Sequence, residues 1–301
     1  MTDWAMTEEL LAVLALEIDD LDSLYKRCYT RDCRMAAAEA TGDGDDLTAV
    51  LAAANQSRGW WDDTWRIVQP LDEGRVLARR GGAARPFRPG QYITLRGPGP
   101  VPKEDEPIRV FQPAGTADLQ SSFYYAFGET VGEFDEFEDL LRLYWNVSLT
   151  GAPMLVSAIT GEFNRFSVPF RFKCGQNSGI YERRDSAVLY FHRSYYGIVA
   201  QLAARIHADL AAQPGAYIRD SVPLFTRHLA RGLGFAEDTG ESFGRSRCAI
   251  LGEAMAATRG CPVGERLAAL RGGFEARGLR LDEPWRNRES HGQYPFPFAG
   301  V

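Results

Sequence analysis

Residues 195–212, YYGIVAQLAARIHADLAA, repeat their large apolar side chains at a helical interval. Ile198, Leu202, Ile206 and Leu210 form one stripe, which predicts a helix. Similar spacing predicts helices over 7–27, 46–56, 134–141, 151–164, 222–233 and 241–258. The first has Thr7 as a cap and Lys26 and Arg27 in its last turn. Shorter apolar runs at 108–111, 121–127 and 141–149 predict strands. Residues 79–107 are the richest in Gly and Pro and predict a linker or an irregular arm, with one short strand, QYITL, inside it. Trp60, Trp61 and Trp65 just before it fit a core or a docking face. The boundary is expected near 90–105, separating an N-terminal helical docking region (1–100) from an α+β domain (101–301). Strands first and helices afterwards predict an α+β fold: an antiparallel or mixed sheet with helices packed on one face, preceded by a mainly helical N-terminal region. From 283 the chain is Pro-rich and aromatic and reads as irregular.

A hairpin is predicted between runs 169–173 and 184–192, across a Gly/Asn/Ser turn. With a period of two, Arg171 and Lys173 share one face of the first strand, and Phe170, Phe172 and Cys174 the other. On the second strand Arg184, Ser186, Val188, Tyr190 and His192 share a face, opposite Asp185, Ala187, Leu189 and Phe191. If the two polar faces coincide, Lys173, Arg171, Arg184, Tyr190 and His192 converge. A half-buried hairpin with a wet polar face accounts for the same alternation.

Composition sharpens that choice. The chain of 301 residues is 45% apolar and 25% charged, ordinary for a globular protein, and its net charge of −6 argues against nucleic acid as the main partner. The acidic start, MTDWAMTEEL, is unlike a secretory signal, and the longest early apolar run, LLAVLAL, is too short to span a membrane. Five cysteines without a CxxC motif suit reduced thiols in a cytoplasm and no metal site. Of the 34 basic residues only Lys26, Lys103 and Lys173 are lysines. A guanidinium keeps its charge at any working pH, whereas a lysine amine loses its proton when desolvated beside other cations. A lysine among four neighbouring arginines therefore has the character of a base.

GESFG, 240–244, matches the GxSxG elbow of α/β-hydrolases, but GFAEDTG ahead of it does not read as a buried apolar strand. The competing reading is a helix start capped by Thr239 or Ser242, with Arg245 and Arg247 making an anion site in its first turns. His207 reads as a surface residue and His228 as a core or supporting one; His291 lies in the tail.

The runs PFRFKCGQNSGIYERRDSAVLYFHRSYYGIV, VPLFTRHLARGLGFAED and GESFGRSRCAIL resemble the HopA-type effector family, over about 140–260. That family includes bacterial type III effectors and proteins of class V lanthipeptide and thioamide-containing peptide pathways. The resemblance implies a lyase that removes phosphate from phosphoserine or phosphothreonine of a precursor peptide. It further implies a separate aminoglycoside-phosphotransferase-like kinase as partner, and no cofactor. By position in the motif it implies Lys173 as the base and Arg184, Arg247, Arg171 and Arg183 on the phosphate. His192 is the acid candidate, with Tyr190 and Tyr144 as alternatives. In the related phosphothreonine lyases the acid is a histidine upstream of the lysine. Here the upstream strand offers Tyr144 or Asn146 instead. A non-enzymatic protein binding a phosphopeptide or a kinase through the same basic groove is the competing class.

Overall fold

The computed structural model describes residues 4–18, 20–34, 44–95, 102–132 and 139–297. The fold is α+β, with two antiparallel sheets. The larger has seven strands in the order β11-β12-β8-β10-β9-β7-β6: β6 (Gly115–Gln120), β7 (Phe123–Phe127), β8 (Leu140–Trp145), β9 (Arg171–Gly175), β10 (Ala187–His192), β11 (Arg227–Ala230) and β12 (Leu233–Glu237). The hairpin forms as expected, with Tyr190 opposite Arg171 and Val188 opposite Lys173. Its second strand begins at Ala187, however, so 183–186 belong to the turn. The helix expected at 134–141 falls mainly outside the described residues.

One face of this sheet is apolar. Leu141, Leu143, Phe172, Leu189 and Phe191 point into a core shared with α4 (Ala152–Arg165) and α5 (Tyr196–Ala211), both close to their predicted bounds. On the other face α6 (Phe243–Ala257) covers the β8 end, where Phe243 meets Tyr144 at 6.4 Å between ring centroids. Helix α7 (Val263–Glu275), which the sequence pattern did not reveal, packs against α6.

The long first helix is broken. α1 spans Trp4–Leu14, starting ahead of Thr7, and α2 spans only Leu21–Leu24. Asp20 causes the restart: in extended backbone, its carboxylate accepts a 2.7 Å hydrogen bond from the Ser23 amide, a helix cap. α2 runs on as a π-helical turn, Tyr25–Tyr29. α3 (Thr48–Ala54) lies where a helix was expected.

The supposed linker instead contributes β3 and β4 to a five-stranded sheet, order β3-β2-β1-β5-β4, built from β1 (Trp60–Pro70), β2 (Val76–Arg80), β3 (Ala83–Phe87), β4 (Tyr92–Thr94) and β5 (Pro107–Gln112). Gly81, at φ 55°, turns the β2–β3 hairpin, and Pro86 is tolerated because β3 is an edge strand. Trp65, Ile67, Val76 and Ile108 give this sheet its own small core. Asp62 pins it, accepting from the Trp65 indole at 2.8 Å and from Arg80 at 2.7 Å. This sheet ends at Gln112 and the larger one starts at Gly115.

The helix expected at 222–233 is also overturned. Gly232, at φ 62°, turns a hairpin between β11 and β12, and pairing with β8 overrides the local helical spacing. His228 is consequently exposed on the edge strand rather than in the core. His207, expected at the surface, is only 4% exposed, on the buried side of α5.

Candidate functional site

Register across the larger sheet builds the site in two rows. Arg142, Tyr190, Arg171 and Phe127 face one another across β8, β10, β9 and β7; Tyr144, Val188, Lys173 and Tyr125 form the next row. All stand on the face opposite the apolar core, so the predicted meeting of Arg171, Lys173 and Tyr190 is real.

Lys173 Nζ donates to Gln120 Oε1 at 3.2 Å, and the same oxygen accepts from the Tyr125 hydroxyl at 2.8 Å. The ammonium lies 4.4 Å from the Phe123 ring centroid and 5.9 Å from that of Tyr190. Burial depresses its pKa below the usual lysine value, and Arg142 and Arg183 push the same way, against the partial opposition of Tyr125 and Asp185. Tyr190 is itself flanked by guanidiniums, with Arg171 at 4.8 Å and Arg142 at 5.1 Å from its ring. Burial raises its hydroxyl pKa although both arginines oppose the rise. Its phenol therefore stays protonated at neutral pH.

Arg183 reaches the group from the turn. It is bidentate to Asp185, at 2.8 and 2.7 Å, and its guanidinium lies 5.8 Å from Phe123. It also donates to the Tyr25 hydroxyl at 3.1 Å. Arg245 stacks over Tyr25 from the other side of the sequence, at 5.2 Å, and pairs with Asp22 at 2.9 Å.

The remaining predicted residues lie apart. Arg184 is buried in an ion pair with Glu9 at 2.6 Å and Asp32 at 3.1 Å, and donates to the Val222 carbonyl. It ties the N-terminal helices down, and its guanidinium is shut away from solvent at 2% exposure, out of a phosphate's reach. Arg247 is likewise committed, donating at 2.8 Å to the carbonyls of Pro284 and Arg286; burial lowers its pKa to about 10. His192 ends β10 with Nδ1 against Ser194 Oγ at 2.8 Å, and burial lowers its pKa. It lies four residues along the strand from the residue opposite Lys173, roughly 13 Å at strand rise. Tyr144 shares the face but is closed off by Tyr29 and Phe243, and burial pushes its pKa to about 12. Asn146 is spent on the Ser221 carbonyl.

GESFG is a helix start. β12 before it is a fully buried strand, contrary to its polar look, but it runs antiparallel to β8 and Ser242 caps α6 by accepting from the Arg245 amide. The second glycine has a packing reason: a Cβ at Gly244 would sit 2.4 Å from the Tyr29 ring.

Sequence reasoning missed Arg142, Gln120, Phe123 and Tyr25. Arg142 had a visible signal, an arginine alone in the apolar run LLRLYW. It is buried, held by Asp238 and by the Glu241 carbonyl at 2.6 Å. Two cavities, of about 350 and 300 Å³, lie elsewhere and are lined by none of the cluster's cations. Among the described residues no group of His, Cys, Asp and Glu is arranged to hold a metal ion, and no helix is long and apolar enough to cross a membrane.

A half-buried amine and several guanidiniums thus gather on one face of an antiparallel sheet in an α+β protein. The sequence profile of the HopA1 effector protein family matches residues 114–286, more than half of the chain, and the chain belongs to that family. Two solved structures share its fold. One is the effector protein from Pseudomonas syringae pv. tomato strain DC3000, with TM-score 0.54 and 17% identity over 95% of this chain and 97% of that one. The other is the effector protein from Pseudomonas syringae pv. syringae strain 61, with TM-score 0.56 and 17% identity over 96% and 99%. No curated protein matches the chain.

Proposed function

We propose that the chain is a phosphoserine/phosphothreonine lyase acting on a phosphorylated peptide. One observation carries this reading. The one lysine after residue 103 is half-buried among guanidiniums and aromatic rings, its proton affinity lowered by burial. Elimination needs a base for a weakly acidic α-proton and fixed positive charge for the departing phosphate. In the proposed step Lys173 Nζ takes the proton from Cα. The electron pair left behind forms the Cα=Cβ bond, and the Cβ–O bond breaks with its electrons leaving on phosphate. Arg171 and Arg183 hold the phosphate, Arg142 adds charge behind Tyr190, and Tyr190 supplies a proton to the leaving oxygen. The product is dehydroalanine or dehydrobutyrine. The setting that fits is a cytoplasmic peptide pathway in which a kinase, of the aminoglycoside-phosphotransferase-like kind, first phosphorylates the precursor.

The separation of His192 from Lys173 favours a second reading, in which the same face binds a phosphopeptide or a kinase without turning anything over. The mass of a phosphoserine peptide after incubation separates the two. A loss of about 98 Da is elimination, a loss of about 80 Da is hydrolysis and overturns the proposal, and an unchanged mass with measurable binding supports the second reading.

A further inference from the structure

Cations and aromatic rings alternate from α6 to the centre of the sheet. Arg245 lies over Tyr25, Arg183 contacts both Tyr25 and Phe123, and Lys173 contacts both Phe123 and Tyr190, each step between 4.4 and 5.9 Å from guanidinium carbon or amine to ring centroid. The far end of this ladder, Tyr25 and Arg245, is not used by the elimination step. We infer that Tyr25 and Arg245, next to the Arg183 that holds the phosphate, form a second anion subsite, which takes a negatively charged side chain flanking the phosphorylated residue of the peptide. The inference rests on the phosphopeptide reading and names its substrate class more narrowly, as peptides with a second anionic group.

Three features support it. First, Tyr25 opens a five-residue π-helical turn, a rare geometry that recurs at functional sites. The turn brings Tyr25 onto Arg183, while Tyr29, stacked on Tyr25 at 5.3 Å, faces Tyr144. Second, the Tyr25 hydroxyl is kept protonated by burial, its pKa pushed up to about 12, so it remains neutral beside an incoming anion. Third, the existing partner of Arg245 is replaceable. Arg245 and Asp22 are 50% and 58% exposed, so water screens their attraction, and an anion on the peptide can displace the aspartate. Arg184 is the contrast within the same protein: its pair with Glu9 is shut away from solvent and serves the fold.

In an extended peptide, side chains two residues apart point the same way, about 7 Å from each other. A second anion two residues from the phosphorylated one therefore reaches along the ladder. The test is equilibrium binding by fluorescence anisotropy. Alanine-rich peptides carry one phosphoserine, alone or with a second phosphoserine or a glutamate at each position up to three residues either side. At least one register is expected to bind tenfold or more tighter than the singly phosphorylated peptide. That ratio should fall to about one in Arg245→Ala and rise in Asp22→Asn, which removes the competing carboxylate. Preference with glutamate assigns the subsite to carboxylates as well as phosphates; preference with phosphoserine alone assigns it to phosphate. Equal affinity in every register, or a preference that survives Arg245→Ala, overturns the inference. Elimination is read separately by mass, so failure of the lyase reading leaves this ratio to stand or fall by itself.

Discussion

Lys173 and Arg183 approach the same ring: the amine lies 4.4 Å and the guanidinium 5.8 Å from the centroid of Phe123. The π face of the ring attracts both positive groups, and Asp185, bidentate to Arg183, offsets part of their repulsion. For the lysine the consequence is a weakened hold on its proton, since burial and neighbouring cations both disfavour the charged amine.

The first prediction is the pH dependence of elimination. A base must be deprotonated to act, and the Lys173 pKa lies below the ordinary lysine value of 10.5. The rate at low substrate should therefore rise with pH through a single ionisation below 10.5 and fall away on the acid side. A profile flat across that limb, measured on wild type, would argue that no amine takes part.

Arg171 should govern phosphate binding. It stands on the sheet face beside Tyr190, where its charge faces the same space as Lys173. Arg171→Gln is expected to weaken phosphopeptide binding about tenfold or more, the worth of a charge-assisted hydrogen bond, as read by titration calorimetry.

Arg184 should behave in the opposite way. Arg184→Met leaves the buried Glu9 without its ion-pair partner and Asp32 with Arg34 alone, and burial already raises the Glu9 pKa. Loss of one partner from a buried pair costs about 3–5 kcal/mol, so urea unfolding should shift markedly. The phosphopeptide affinity of the folded protein should stay within a few-fold of wild type.

How far the sequence could separate these two arginines is instructive. Both read as polar positions of one hairpin, and period-two alternation correctly put Arg171, Lys173 and Tyr190 on a common face. What alternation could not give was where the second strand begins; with Ala187 as its first residue, Arg184 falls in a turn and meets the N-terminal helices instead. Tyr25 and Gln120 were invisible for a related reason, since only long-range packing brings 25 to 183 and 120 to 173. The N-terminal sheet was hidden by composition. RRGGAARPFRPG has few apolar residues because β3 is an edge strand, where proline and arginine are tolerated. The helices α4 and α5 were legible from their apolar stripes, and α6 from its Ser242 cap.

His207 predicts an acid sensitivity of the fold. Burial, with a smaller push from His228, lowers its pKa from 6.5 to about 4. The unfolded chain therefore binds a proton between those values that the folded chain refuses. This contribution is full above pH 6.5 and lost as pH falls toward 4, amounting to about 3 kcal/mol. Thermal unfolding of wild type against His207→Gln should show the substituted protein losing less stability over that interval.

The most direct test of the central claim compares wild type with Lys173→Arg on one phosphoserine peptide, measuring both the rate of the 98 Da loss and the dissociation constant. Arginine keeps the positive charge but cannot release its proton. The account predicts elimination slowed by about a thousandfold with affinity little changed, the scale expected for removal of a general base. Elimination by Lys173→Arg at a rate near that of wild type would contradict it and take the base away from Lys173.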